Sequence, residues 1–178
     1  IRLTRPVELD ILEAHGEADR GMAPRLLVEQ RADMSQIFSD FEDIDSEFNL
    51  WIAVQRERLV AQLISRLEGA LSAATSDSQR LGLAEALAHV DPTHEGACRA
   101  AMKAHVALGD VAQAMRTYER LWQVLDEELE VEPSEKTQGL YVAIKQGQVA
   151  PARPTPPEQD LLAPIAIVVE PVQAMDLP

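Results

Sequence analysis

Four histidines and one cysteine are the residues of this chain best suited to binding a metal ion: His15, His89, His94, His105 and Cys98. Imidazole and thiolate groups together would suit zinc, which takes four such ligands in a structural site. The histidines are scattered along the sequence, whereas metal sites on helices usually show closely spaced ligand pairs, and one cysteine cannot complete a set. The sequence predicts no metal and no other cofactor, and Cys98 and His105 are interpreted as core or groove residues.

Residue patterns typical of catalytic sites are missing from the sequence. It contains no glycine-rich phosphate-binding loop, no nucleophile turn of the Gly-x-Ser-x-Gly type and no His-Glu-x-x-His motif. We therefore predict no catalytic or cofactor-binding residue and expect a protein that is not an enzyme.

Two acidic clusters could bind a cation or a basic partner. One runs from Asp40 to Glu47 and the other from Asp126 to Glu132. Neither has the ligand spacing and central glycine of a calcium-binding loop. Runs of like charge are more often solvated faces or helix ends, and that interpretation is favoured for both clusters.

Composition excludes several classes of function. The formal net charge is −14, so the chain is a poor match for the phosphate backbone of nucleic acids, which proteins neutralise with lysine and arginine. No run of about 18 apolar residues suggests a membrane helix. A single cysteine excludes an internal disulfide and is consistent with the reducing cytoplasm. We predict a cytoplasmic protein with no direct contact to nucleic acid or membrane.

The elements that must position any binding residues are predicted to be helices. Gly109 can end one helix in the left-handed conformation, and Asp110 can cap the next. Apolar residues recur at helical spacing on both sides of this turn: Cys98, Ala101, Met102 and His105 before it, and Ala114, Tyr118, Leu121 and Leu125 after it. Small residues would let the two helices approach closely and Tyr118 would fill the groove, as in a tetratricopeptide helix pair.

The strongest periodic pattern predicts a long helix from Ser46, its expected N-cap, to about Ala74, with Leu63 and Leu67 in its core face. A further helix is expected to stop at Asp91-Pro92, and Asp91 is expected to cap the next helix with Pro92 in its first position. Ser134 is predicted to cap a last helix closed by Gly147. Two less regular helical stretches, Val7 to Ala18 and Ala23 to Phe41, precede these. The predicted fold class is all-α, an antiparallel helical array that resembles tetratricopeptide repeats.

The composition changes near the C-terminal end of the chain. Four prolines between Pro151 and Pro157 predict a stiff, extended linker. A β-branched run between Pro164 and Pro171 follows and resembles the first strand of another domain. The predicted organisation is a helical-repeat domain at 1–147, a proline-rich linker at 148–163, and the start of a truncated domain or a disordered tail at 164–178. Because the sequence begins with Ile1, we expect it to be part of a longer protein.

A few side chains are candidates for contact with a protein partner. Trp51 and Trp122 could anchor one because aromatic residues dominate interface energetics, although a place in the core is the more common role on amphipathic helices. The full set of candidate contact residues is Trp51, Arg58, His105, Tyr118 and Trp122.

Several motifs occur together in one order along the chain. They are Trp51 with Arg56-Glu57-Arg58-Leu59, Asp91-Pro92-Thr93-His94-Glu95 with Ala97, Arg99 and Met102, Gly109-Asp110, Tyr118 with Leu121, and Glu128-Leu129-Glu130-Val131-Glu132-Pro133-Ser134 with Thr137, Leu140 and Tyr141. In this order and at these spacings the chain resembles the bacterial transcriptional activator domain from about Phe38 to Gly147. In that family a glycine occupies the position of Glu130, and this departure puts the local turn in question.

The resemblance implies a tetratricopeptide-like module that serves regulation and protein contacts. It also implies an upstream winged helix-turn-helix domain that binds DNA. The expected partners are a protein or other domains of the same chain, and a homodimer is a further expectation. The alternative is a freestanding tetratricopeptide-like scaffold unrelated to transcription, which the absence of an upstream DNA-binding domain would favour. An accessory domain of an enzyme ranks third.

Overall fold

The computed structural model describes residues 7–39 and 45–149, with side chains from residue 11 onward. Within these ranges the chain is entirely helical, as the sequence predicts. The seven α-helices are α1 (Val7–Asp19), α2 (Arg25–Val28), α3 (Ser46–Ala73), α4 (Asp77–Val90), α5 (Glu95–Ala107), α6 (Val111–Leu129) and α7 (Glu135–Lys145), with a short 3-10 helix at Met34–Gln36.

The helices pack in chain order. Helix α3 packs on α4, α4 on α5 and α5 on α6, with α7 against both α6 and α5. At the other end, α1 packs on α3 and α2 on α4. Short connections between consecutive long helices give an antiparallel arrangement. The result is the predicted tetratricopeptide-like array, in which each helix pair buries its apolar face against the next.

Two apolar clusters form the core. The first joins α1, α2, α3 and α4, and the predicted core residues Leu63 and Leu67 of α3 are fully buried in it. The second joins α5, α6 and α7 around Met102, Leu121 and Ile144. Helix α5 contributes to both, since Ala97 belongs to the first cluster and Cys98 to the second. The small residues Ala101 and Ala114 are buried, consistent with a close approach of α5 and α6.

The turn between α5 and α6 confirms the expected capping. Gly109 has a φ of +85°, and the amide of Asp110 donates to the carbonyl of His105 at 2.8 Å. The Asp110 carboxylate accepts from the amide of Gln113 at 2.9 Å and thereby caps α6. Glycine is favoured at this turn because the left-handed conformation brings Cβ close to the residue's own backbone and is costly for residues with a side chain.

The predicted start of α5 is wrong by three residues. Asp91 does not cap the helix; its carboxylate accepts from the amide and hydroxyl of Thr93 and closes a local turn. The chain enters α5 at Glu95, and His94 is its N-cap, with Nδ1 accepting from the amide of Ala97 at 2.9 Å. Because the Asp91 carboxylate bonds to Thr93 in this turn, it is not available to cap a helix, and Pro92 lies in the turn and not in the helix. Similarly, Asp45 and not Ser46 caps α3.

The helical stretch expected from Ala23 to Phe41 is only partly helical in its described residues, which end at residue 39. The chain instead forms α2, a loop and the 3-10 helix, which Asp33 caps by accepting from the amide of Ser35 at 2.8 Å. Arg31 and Phe38 have positive φ values of 48° and 66°, which a continuous helix does not allow. Tertiary packing of Leu27 into the first cluster fixes the short helix.

The expectations for the proline-rich linker and the strand-like tail lie outside the described residues, as does most of the first acidic cluster. The described residues of the second cluster, from Asp126 to Glu132, are exposed. Among the described helices, none is both long and apolar enough to cross a membrane.

Candidate functional site

Glu95, the first residue of α5, joins two motifs that lie far apart in sequence. Its carboxylate accepts from the backbone amide of Ser134 at 3.1 Å and from the Ser134 hydroxyl. The hydroxyl of Thr137 donates to the same carboxylate, and Arg99 donates to Thr137 Oγ1 at 2.7 Å. This junction holds the start of α7 against the start of α5. Ser134 precedes α7 as predicted, but its side chain makes no cap hydrogen bond within the helix.

The Glu95 junction favours the charged carboxylate. Burial opposes that charge, but the hydrogen bonds from Ser134 and Thr137 and the positive charge of Arg99 outweigh it and lower the pKa of Glu95. The sequence motifs contain all four residues of this junction, yet their contact depends on the packing of α7 on α5, which spacing alone does not reveal.

A groove runs between α2, α4, α5 and α6, and we call it the central groove. Its inner part is a cavity of about 240 Å³ whose floor is apolar, with Leu27, Ala101 and Leu121 among its lining residues. It continues into a wider depression of about 510 Å³. Arg31, Glu85 and Arg120 line both parts, so the two form one continuous surface.

The rim of the central groove carries more positive than negative charge. Three arginines line it, Arg31, Arg116 and Arg120, together with two glutamates, Glu85 and Glu119. Among the described residues, none of the three arginines forms an ion pair with a carboxylate. Arg116 Nε donates to Gln113 Oε1 at 2.9 Å, and Arg120 Nε donates to the carbonyl of Arg116 at 3.4 Å. Sequence analysis missed this site, because its arginines come from the misassigned loop after α2 and from one face of α6.

The predicted contact residue His105 lines the outer part of the central groove. Its Nε2 lies 3.9 Å from Glu85 Oε1 across the packing of α5 on α4. The expectation that Cys98 and His105 are core or groove residues is confirmed, since Cys98 is buried and also lines the inner part.

The predicted contact residue Trp51 lies on a second surface, which we call the α3 patch: Leu50, Trp51 and Val54. Leu50 is 68% exposed, Trp51 55% and Val54 56%, and the Trp51 ring stacks on Phe48 at 5.7 Å. Arg58, one turn further along α3, is also exposed. The favoured core role of Trp51 is therefore wrong, because the apolar face of α3 that enters the core is the one carrying Leu63 and Leu67.

The remaining two candidates differ in their surroundings. Trp122 is 43% exposed on α6, so the favoured core role is wrong for it too. Tyr118 packs on the second core cluster and stacks on Tyr141 of α7 at 4.2 Å. Burial raises the pKa of Tyr118. The second core cluster joins α5, α6 and α7, so Tyr118 packs near α5 as predicted and also contacts α7. The structure thus does not bring the five candidates together.

The other histidines have structural partners. His15 is buried on α1 and shares a hydrogen bond of 3.2 Å with the carbonyl of Leu59, and burial lowers its pKa. His89 bonds to the carbonyl of Ala32 at 3.1 Å, and His94 bonds to Glu68 at 3.0 Å. Within the described residues, no three histidine, cysteine or acidic side chains converge in a way that could hold a metal ion.

Comparison with known protein families identifies one family. The model of the bacterial transcriptional activator domain family matches residues 36–145, which include α3 to α7, the Glu95 junction and the α3 patch. Searches of curated proteins and of solved structures found no match. The family is one of regulatory domains associated with transcription regulators, and the chain belongs to it: this is a bacterial transcriptional activator domain.

Proposed function

We propose that the chain is a non-catalytic, cytoplasmic module of a bacterial transcriptional regulator and acts by protein interaction. In this mechanism a winged helix-turn-helix domain elsewhere in the regulator binds DNA. The helical array docks onto that domain, onto a second copy or onto the transcription machinery, and so changes DNA occupancy or activation. Membership of the family supports the regulatory part of the proposal.

The α3 patch is the observation that best supports docking. Three large apolar side chains within five residues of one helix are each more than half exposed. Burying such side chains in a partner releases about 25 cal/mol per Å² of apolar surface. Tryptophan and arginine are also the residues enriched among those that dominate interface affinity. Trp51 would act as the anchor and Arg58 as a polar contact beside it.

Of the other candidates, Trp122 and His105 are proposed as contacts on separate surfaces. Tyr118 is proposed to act indirectly, by holding α7 in place through its stack on Tyr141.

Light scattering on the full chain tests the docking proposal. If the module self-associates, Trp51→Ala should convert a dimer to a monomer, whereas Val142→Ala, at an exposed apolar position of α7, should not. If the wild type is a monomer, the same variants should be compared for binding to the regulator's DNA-binding domain, where only Trp51→Ala should weaken binding. Equal behaviour of Trp51→Ala and wild type in both measurements would contradict a role for the α3 patch.

A further inference from the structure

We propose that the central groove binds an acidic peptide segment of a partner protein, one in which carboxylates lie next to leucine-sized side chains. The proposal rests on the proposed function in treating the array as a protein-interaction module. It concerns a different surface from the α3 patch and names the chemistry of the segment that binds there.

Charge is the first argument. The whole chain carries a formal charge of −14, yet the central groove is lined by three arginines and only two glutamates. Positive charge gathered at one concave surface of an acidic protein favours acidic ligands there and repels basic ones. Guanidinium groups bind carboxylates through two parallel hydrogen bonds, which makes arginine the suitable residue for such a rim.

The arrangement of Arg116 and Arg120 is the second argument. They lie four residues apart on α6, where like charges repel and destabilise a helix. Neither has a carboxylate partner among the described residues, and both direct only Nε toward the protein. Their Nη groups make no hydrogen bond within the part of the chain that the structure describes, and a bound carboxylate would remove the repulsion.

The backbone at Arg31 is the third argument. This arginine has a φ of +48°, a conformation that is costly for a residue with a side chain. The loop is fixed by the bond from His89 to the carbonyl of Ala32 and by the amide of Ala32, which donates to the carbonyl of Leu26 at 3.1 Å. Strain of this kind persists where the surroundings impose it and often marks binding sites. Here it places an arginine on the rim opposite α6.

The apolar floor of the inner cavity indicates which side chains accompany the carboxylates of the ligand. Leu27, Ala101 and Leu121 line an inner cavity of about 240 Å³, enough for one or two leucine-sized side chains and too small for a folded domain. A peptide with leucines beside its acidic residues would fill the floor and reach the arginines at once.

Fluorescence anisotropy of the full chain tests the proposal. The probe is a fluorescein-labelled peptide of about ten residues in which Glu and Leu alternate, at low ionic strength because the rim charges are exposed. We expect saturable binding that weakens at least about tenfold in the double variant Arg116→Glu/Arg120→Glu. The matched control Lys103→Glu/Lys136→Glu changes the net charge equally at exposed positions outside the groove, and its affinity should stay within about twofold of wild type.

Two peptide controls and one folding control complete the experiment. A Lys-Leu peptide and a Glu-Ser peptide should each bind at least about tenfold more weakly than the Glu-Leu peptide. If circular dichroism shows that the arginine reversal unfolds the chain, Arg116→Gln/Arg120→Gln takes its place.

Several results would overturn the proposal. Equal weakening by the lysine control would show attraction by net charge alone. Binding that appears only after Glu158→Lys/Asp160→Lys would show that the groove is filled by the chain's own C-terminal segment and not by a partner. No binding to either form would also reject it. None of these results depends on Trp51, so the docking role of the α3 patch is judged separately.

Discussion

At the scale of single residues, Glu130 stands out because a residue with a side chain ends α6 in the left-handed conformation, with a φ of 54°. The family resemblance in the sequence implies a glycine at this position. Helix α6 still ends there, and the amide of Val131 donates to the carbonyl of Leu125 at 3.2 Å. The turn at Glu130 thus takes the left-handed geometry that suits glycine, at the cost of an unfavourable conformation for a residue with Cβ.

Glu130→Gly should stabilise the chain by about 1 kcal/mol, because glycine removes the steric cost of the left-handed conformation and the negative charge at the C-terminus of α6. Urea denaturation measures the effect. Glu128→Gly, on an exposed helical position two residues earlier, should instead destabilise by about 1 kcal/mol. The same sign for both substitutions would contradict the argument.

Glu95 gives a pH-dependent prediction. Its folded pKa is lowered, so its contribution to stability is present above the ordinary carboxyl range and is lost as the pH falls through the folded value. Glu95→Gln should destabilise by about 1–3 kcal/mol at neutral pH, with a smaller difference in acid. Urea midpoints at several pH values measure this. Glu57→Gln on the exposed face of α3 serves as control, and a pH-independent difference for Glu95→Gln would reject the role of its charge.

At the scale of elements, α3 carries both exposed and buried apolar residues. Its N-terminal turns carry the exposed α3 patch, whereas its middle carries Leu63 and Leu67, both fully buried. One long amphipathic helix therefore serves as both a core element and a display surface. Ile52 is buried beside the patch, so the exposed residues differ from the buried ones by their helix face. Periodicity predicts that α3 has a core face, but with apolar residues on more than one face it cannot tell which of them stay exposed.

Leu63→Ala should destabilise the fold by about 2–5 kcal/mol, because it leaves a cavity in the first core cluster. Leu50→Ala makes the same change on the same helix at an exposed position and should alter stability by less than about 0.5 kcal/mol. Chemical denaturation of both variants checks the pair. An unchanged midpoint for Leu63→Ala would reject this packing arrangement.

The connections between elements show where sequence reasoning succeeds and fails. The Gly109-Asp110 turn was predictable since both residues act locally, one through its backbone freedom and the other through its carboxylate. The start of α5 was not predictable, because the Asp91 carboxylate could either cap a helix or close a turn. In the structure it closes the turn with Thr93. The loop at Arg31 was missed because its conformation depends on tertiary bonds from α4. The role of Arg31 in the central groove was missed for the same reason.

At the scale of the whole molecule, the array is built from two apolar clusters that share α5. Arrays of this kind are stabilised mainly by contacts between neighbouring elements. A substitution that destabilises one cluster should therefore affect the helices of that cluster more than the others. The fold class could be read from the sequence because local periodicity largely sets it. The candidate surfaces could not be predicted, because they depend on which helix faces remain exposed to solvent after the helices pack.

Hydrogen exchange followed by mass spectrometry tests this division. Leu63→Ala should speed exchange most in α1, α3 and α4, and Met102→Ala should speed it most in α6 and α7. Helix α5 should respond to both, since it contributes Ala97 to one cluster and Met102 to the other. Uniform acceleration along the whole array in either variant would indicate a single cooperative unit instead.

The buried position of Cys98 has a consequence for chemical labelling. Burial raises the pKa of its thiol to about 12, and the sulfur lies 3.7 Å from that of Met102. A protonated, enclosed thiol reacts slowly with alkylating reagents, because the thiolate is the reactive form. A cysteine introduced at exposed Lys103 would therefore take a maleimide dye selectively, with the natural cysteine left in place. The chain can carry a single optical reporter without any change to its core.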